Sequence, residues 1–284
     1  MNDILNRLKL TLSLWLVTLL LTSCASPPSL QQRQGSAGQL ASSHQWQVKL
    51  IQSSHFDLLS YQPKQHAKEN LLTVYIEGDG LAWLTKNTIS TDPTPINPTG
   101  LKLALNHPQG NAVYLARPCQ YTDGSEARNC NKHYWTDSRF AEEVIASTNE
   151  AINILKAEFS AEQLQLVGYS GGGAVAALIA ARRDDVIKLI TVAGNLDHQA
   201  WTAYYNISPL SNSLNPANYH QQLAHIEQVH FVGANDRVIP PFLAKQFIDK
   251  LQSQNKVNVI VVPEFDHHCC WVEQWHNLIP LMSR

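Results

Sequence analysis

Ser170 stands at the centre of Gly168-Tyr169-Ser170-Gly171-Gly172, between the apolar run Leu164 to Val167 and the small-residue run Ala174 to Ala181. Glycines two positions to either side leave room for a turn that a Cβ would block. A strand, a sharp turn and a helix would then hold the serine hydroxyl up from a sheet at a helix N-terminus. A serine hydroxyl is a poor nucleophile at neutral pH. Attack on a carbonyl needs a histidine to take its proton and a carboxylate to fix that histidine's tautomer and steady its developing charge. The later sequence offers both. Asp236 lies just past the apolar run that opens Phe231-Val232-Gly233, Asp197 follows the run Ile187 to Val192, and His267 and His268 follow Val257 to Val262. Either imidazole has the required chemistry. Asp266 is a poor orienter for its neighbour His267, because adjacent side chains on an extended loop point apart.

These residues need a scaffold, and the hydrophobic pattern supplies one. Trp46 to Gln52 and Phe56 to Tyr61 read as an antiparallel opening pair. Leu71 to Glu77 reads as a strand ending at Gly78-Asp79-Gly80, and Asn111 to Ala116 as the next strand. Asp137 is expected to cap a helix running to about Phe159. Buried-type strands follow at Leu164 to Val167, Ile187 to Val192, Val229 to Val232 and Val257 to Val262, with helical stretches near Gly171 to Arg183 and Pro241 to Leu251. Strands alternating with helices predict an α/β fold with a mainly parallel central sheet and helices on both faces. Asn195 to Gln222 is poorly patterned and reads as a short lid or a surface crossing.

A strand, Gly-x-Ser-x-Gly and a helix, then an acid after a later strand and a histidine after the last, resembles the α/β-hydrolase superfamily over nearly all of the chain after residue 44. The resemblance implies an α/β-hydrolase fold and an esterase-like serine hydrolase, with a peptidase or amidase, or a non-catalytic binding module, as alternatives. It implies Ser170, Asp236 and His267 as the catalytic set, with Asp197 and His268 as the alternative acid and base. Asp236 matches the family's strand-glycine-x-x-Asp-x-x-x-Pro segment in Gly233 to Pro240, and His267 precedes Trp271 by four positions as in related hydrolases. The expected oxyanion donors are the backbone N–H of Gly171 and that of Asp79 or Gly80. Glu77 departs from the pattern, standing where many relatives have histidine, and Asp79 adds a second carboxylate. Arg117 is the expected counter-charge. Trp83, Trp135 and Trp271 are candidates to wall an acyl pocket.

With 284 residues, 44% of them apolar, and a net charge of -2, the chain has room for a full α/β core and no basic stripe for nucleic acid. The expected partner is a small-molecule acyl substrate, and neither a cofactor nor a metal is implied. Oligomeric state is left open. Residues 1–23 carry Arg7 and Lys9 before the apolar run Leu10 to Leu21, and Leu21-Thr22-Ser23-Cys24 resembles a bacterial lipobox. That resemblance implies a cleaved signal peptide and an acylated Cys24 as membrane anchor. With Ala25 rather than aspartate following, it implies the periplasmic face of an outer membrane. An ordinary signal peptide is the alternative. Residues 24–44 read as a flexible tether and 45–284 as the hydrolase domain. The remaining cysteines suggest a Cys119–Cys130 disulfide, with Cys269-Cys270 as a vicinal disulfide or two thiols.

Overall fold

Alternation along the strands decides the layers. Leu72, Val74 and Ile76 join one buried cluster while Tyr75 joins the other, so successive side chains of this strand feed opposite faces of a sheet buried on both sides. The computed structural model describes residues 26–251 and 256–283; the expected signal peptide and Cys24 lie outside them. In chain order the elements are α1 (Leu30–Ser43), β1 (Trp46–Gln52), β2 (Asp57–Pro63), β3 (Leu71–Ile76), β4 (Trp83–Thr85), β5 (Thr88–Ile89), α2 (Thr99–Leu105), β6 (Asn111–Leu115) and α3 (Glu142–Glu158). There follow β7 (Gln163–Tyr169), α4 (Gly171–Ala180), β8 (Val186–Val192), α5 (His198–Tyr205), α6 (His220–Leu223), β9 (Glu227–Gly233), α7 (Pro241–Lys250), β10 (Val257–Val262) and α8 (Trp275–Leu278), with short 3-10 turns between some of them.

The main sheet has eight strands in the order β1-β2-β6-β3-β7-β8-β9-β10. Strand β2 runs antiparallel to β1 and β6, and every pairing from β6 to β10 is parallel. Residues of α3, α4 and α7 pack into the cluster on one face, and residues of α1, α2 and α8 into the cluster on the other. This is the expected α/β-hydrolase architecture. The parallel strands send the loops after β3, β7, β8, β9 and β10 to one end of the sheet, where ligands of such sheets bind.

Two local expectations are corrected. Residues 30–43 are not a flexible tether but a 14-residue helix with a Ser29/Gln32 capping box. Arg33, Ala37 and Ala41, spaced by four, form its buried stripe. Arg33 donates to Asp92 Oδ2 at 3.0 Å and to the Thr94 carbonyl, which fastens the helix to the segment between β5 and α2. The Ser- and Gln-rich composition hides this, because the buried face consists of small residues and one paired cation. Secondly, Asp137 does not cap α3. Ala141 holds that position without a side-chain bond, while Asp137 accepts from Asn212 and pairs with His133 in the turn before it. The poorly patterned segment 195–222 contains α5 and the start of α6.

Candidate active site

Strand β7 ends at Tyr169, and Ser170 turns the chain into α4 with φ 52° and ψ −120°. A non-glycine residue in that region is strained by roughly 1–3 kcal/mol and is held only by its surroundings. The surroundings are tight. A Cβ on Gly168 would lie 2.3 Å from the Gly172 carbonyl oxygen, and one on Gly172 would lie 2.3 Å from that of Ile76. The Ser170 N–H donates to the Val192 carbonyl at 2.9 Å, and the Ser170 carbonyl accepts from Gly173 and Asn195. Glycine is therefore required on both sides of the serine, which is stationed at the carboxyl end of a central strand.

Ser170 Oγ lies 2.9 Å from His267 Nε2, and His267 Nδ1 lies 2.8 Å from Asp236 Oδ2. A carboxylate can only accept, so Nδ1 carries the hydrogen and Nε2 is left as the acceptor facing the serine. Asp236 Oδ1 takes the N–H groups of Val238 and Ile239, each at 2.7 Å, so both carboxylate oxygens are engaged. Both Asp236 and His267 are buried. The loop bearing the histidine is tied down by two aromatic residues. The Tyr169 hydroxyl donates to the His267 carbonyl at 2.9 Å, and the Trp271 indole N–H is shared between the carbonyls of Asp266 and His267.

The alternatives sit elsewhere. His268 is exposed and meets the Tyr169 hydroxyl through Nδ1 at 3.3 Å; partial desolvation of its ring and the neighbouring His267 lower its pKa. Asp266 accepts from the N–H groups of His268 and Cys269 and so shapes the loop. Asp197 caps α5, accepting from Ala200, and also takes Asn215 Nδ2 and Lys250 Nζ. Engaged in a separate ion pair at the N-terminus of α5, it has no hydrogen bond to either histidine.

Across from this triad of side chains stands the loop after β3. Asp79 binds Arg117 Nη1 at 3.2 Å and Arg139 Nη1 at 2.6 Å. Burial pushes its carboxyl up, but Arg139 and then Arg117 outweigh that and hold it below the usual carboxylate range. A Cβ on Gly171 would lie 2.0 Å from Asp79 Oδ1, so this loop rests directly on the first turn of α4. Gly80, at φ +66°, turns toward the Pro93 carbonyl, which a Cβ there would meet at 1.9 Å. The N–H groups of Gly171 and Asp79 make no hydrogen bond among the described residues. Glu77 serves α2: it takes the N–H groups of Gly78, Gly100 and Leu101, while burial raises its pKa.

Arg117 is the expected counter-charge, and its partner Arg139 was not foreseen, since an isolated arginine carries no motif. Tyr169 was also missed, although it occupies the variable position of the Gly-x-Ser-x-Gly pattern. Of the candidate pocket tryptophans, Trp135 and Trp271 are core residues and Trp83 is exposed on the β4–β5 hairpin. Cys119 and Cys130 are joined by a disulfide, as are the adjacent Cys269 and Cys270.

A model of the family "Serine hydrolase (FSH1)" matches residues 99–268, a span that includes Ser170, Asp236 and His267. The chain belongs to the FSH1 serine hydrolase family. No curated protein sequence matches it. Solved structures similar to this FSH1-family chain include an esterase of Pyrococcus furiosus, at 12% identity and a TM-score of 0.60, covering 85% of this chain and 93% of that one. A Xanthomonas campestris α/β serine hydrolase without a lid aligns at 14% identity and a TM-score of 0.51, covering 84% and 91% of the two chains. The acylaminoacyl peptidase of Pyrococcus horikoshii aligns at 12% identity and a TM-score of 0.56, covering 84% of this chain and 41% of that one. At such identities the likeness is one of fold. Family membership and fold together make the protein a serine hydrolase of the α/β-hydrolase type.

Proposed function

We propose that this serine hydrolase cleaves carboxylic esters through an acyl-enzyme on Ser170. The observation that carries the reading is the continuous line of hydrogen-bonded atoms from Ser170 Oγ through His267 to Asp236, at 2.9 and 2.8 Å. In the first half-reaction Oγ attacks the carbonyl carbon as His267 Nε2 takes its proton, and Asp236 stabilises the imidazolium. The oxyanion is met by the Gly171 N–H and the Asp79 N–H. Asp79 is favoured over Gly80 because its side chain rests on Gly171. Collapse expels the alcohol, which receives the proton from His267. Water then attacks the acyl-enzyme by the same route and frees the acid.

Ester rather than peptide is favoured by the likeness to the Pyrococcus furiosus esterase over nearly its whole length, whereas the peptidase likeness covers under half of that enzyme. Anchoring through an acylated Cys24, with the body at the periplasmic face of an outer membrane, completes the reading. It rests on the lipobox-like Leu21 to Cys24, and the Cys119–Cys130 disulfide suits an oxidising compartment. A fluorophosphonate probe is expected to label the wild type and not Ser170→Ala. A panel of p-nitrophenyl esters beside matched anilides tests the bond, and faster turnover of the anilides would favour a peptidase.

A further inference from the structure

The exposed tryptophan, tyrosine and phenylalanine residues among those described, 36% to 57% exposed, all stand at the end of the molecule that bears Ser170. Trp83, with Leu84, lies in the loop after β3; Tyr204 and Tyr205 lie on α5, and Phe242 follows the Asp236 loop. Strand β3 lies on one side of β7 and strands β8 and β9 on the other, so the two groups flank the serine. The second group is one surface. The Tyr204 and Phe242 rings are 4.8 Å apart, Trp201 Nε1 donates to the Val238 carbonyl at 2.8 Å, and the Tyr205 hydroxyl donates to the Arg237 carbonyl. Val238 and Ile207 extend it, at 41% and 46% exposure. The stretches 83–88 and 237–245, which hold the exposed aromatic residues Trp83 and Phe242, carry Lys86, Arg237 and Lys245 and no acidic residue, and exposed carboxylates at this end, Glu264 and Asp266, lie on the separate histidine loop.

The polypeptide also enters the fold at this end. Near the start of α1, Arg33 is bound to Asp92 and the Thr94 carbonyl, on either side of Pro93, whose carbonyl takes the Leu81 N–H at 3.0 Å. Cys24 precedes Leu30 by six residues, a reach of at most about 20 Å.

We propose that this aromatic and cationic rim is a membrane-docking surface, seating the Ser170 end of the protein on the phospholipid bilayer that holds Cys24, with an acyl ester lying in that interface as substrate. The inference rests on the anchored-esterase reading above. Aromatic rings that sit at headgroup depth, flanked by long cations that meet anionic lipid, are the side chains an interfacial surface uses. A lipid-borne ester would then reach the serine between the two groups without leaving the interface.

The test uses the full-length chain, expressed with its own N-terminal segment and reconstituted into vesicles of brominated or unbrominated phospholipid. Bromine is expected to quench part of the tryptophan fluorescence, and Trp83→Phe, which keeps an apolar ring, should lose at least half of the quenched signal. Protein that co-sediments with vesicles without quenching, or quenching unchanged in Trp83→Phe, overturns the proposal. So do cross-linked dimers in place of quenching, which would assign the rim to a second copy. Ser170→Ala separates the two readings: it should quench like the wild type while losing ester hydrolysis. Hydrolysis that survives there removes the catalytic reading and leaves docking to stand on the quenching alone.

Discussion

The Asp79 carboxylate rests against the α-carbon of Gly171, so closely that a methyl group there would lie 2.0 Å from Oδ1. The loop that closes the serine's turn from above is thus set by an acid that two arginines hold in place. Gly171→Ala is expected to fold and to lose on the order of a hundredfold in kcat, because the added methyl displaces the loop proposed to supply an oxyanion donor. Steady-state kinetics on a short ester checks it; a change confined to KM would separate Asp79 from the oxyanion.

Asp79→Asn keeps the shape and removes the charge between Arg117 and Arg139. A buried pair broken on one side costs about 3 kcal/mol; Asp79 is part-buried, and urea denaturation is expected to register a smaller loss, about 1–2 kcal/mol. Unchanged stability would mean that the arginines find other partners.

The two adjacent histidines should separate cleanly. His267→Ala and Asp236→Asn are each expected to lower kcat/KM by about 10⁴-fold, whereas His268→Ala, at an exposed ring, should stay within about threefold of wild type. Equal losses at both histidines would contradict the hydrogen-bond geometry at Ser170. Asp197→Asn should leave kcat unchanged and cost about 1 kcal/mol through the weakened cap of α5 and its half-exposed Lys250 partner.

Burial lowers the His230 pKa from its ordinary 6.5 to about 3 and that of His107 to about 4. As pH falls below about 6.5 the unfolded chain binds protons that the native one refuses, so stability is lost down to the folded values. The slope reaches up to about 1.4 kcal/mol per pH unit for each histidine. Denaturation midpoints measured between pH 7.5 and 4.5 should fall steeply, and less steeply in His230→Gln. Identical slopes would assign the acid sensitivity to other groups.

The Cys119–Cys130 bridge closes a short loop, with a sequence separation of 11, next to Arg117. Chain entropy puts its contribution at about 3 kcal/mol. The Cys119→Ser/Cys130→Ser double variant should unfold at correspondingly lower denaturant, and free thiols detected by mass spectrometry of the wild type would refute the pairing.

Much of this was legible in the residues because the strands are buried on both faces and read as apolar runs, and because the glycines around Ser170 have backbone oxygens where a Cβ would go. The choice of Asp236 and His267 over Asp197 and His268 is what the resemblance to the α/β-hydrolase superfamily implies; the strand ends alone leave both pairs open. What escaped reading depends on contacts distant in sequence. Arg139 reaches Asp79 across 60 residues and carries no local pattern. Asp137 and Asp197 have the same capping chemistry, yet only Asp197 caps a helix. Asp137 is drawn to His133 and Asn212 instead, so the α3 helix starts later than expected.

The docking of Arg33 to Asp92 has a geometric outcome for the whole molecule. If residue 24 is the membrane anchor proposed above, a slack linker from it to the first strand at Trp46 would let the Ser170 end roam up to roughly 75 Å from that point, whereas a helix clasped to the body beginning at Leu30 shortens that radius to about 20 Å. An anchor at residue 24 would therefore dictate which targets Ser170 can visit.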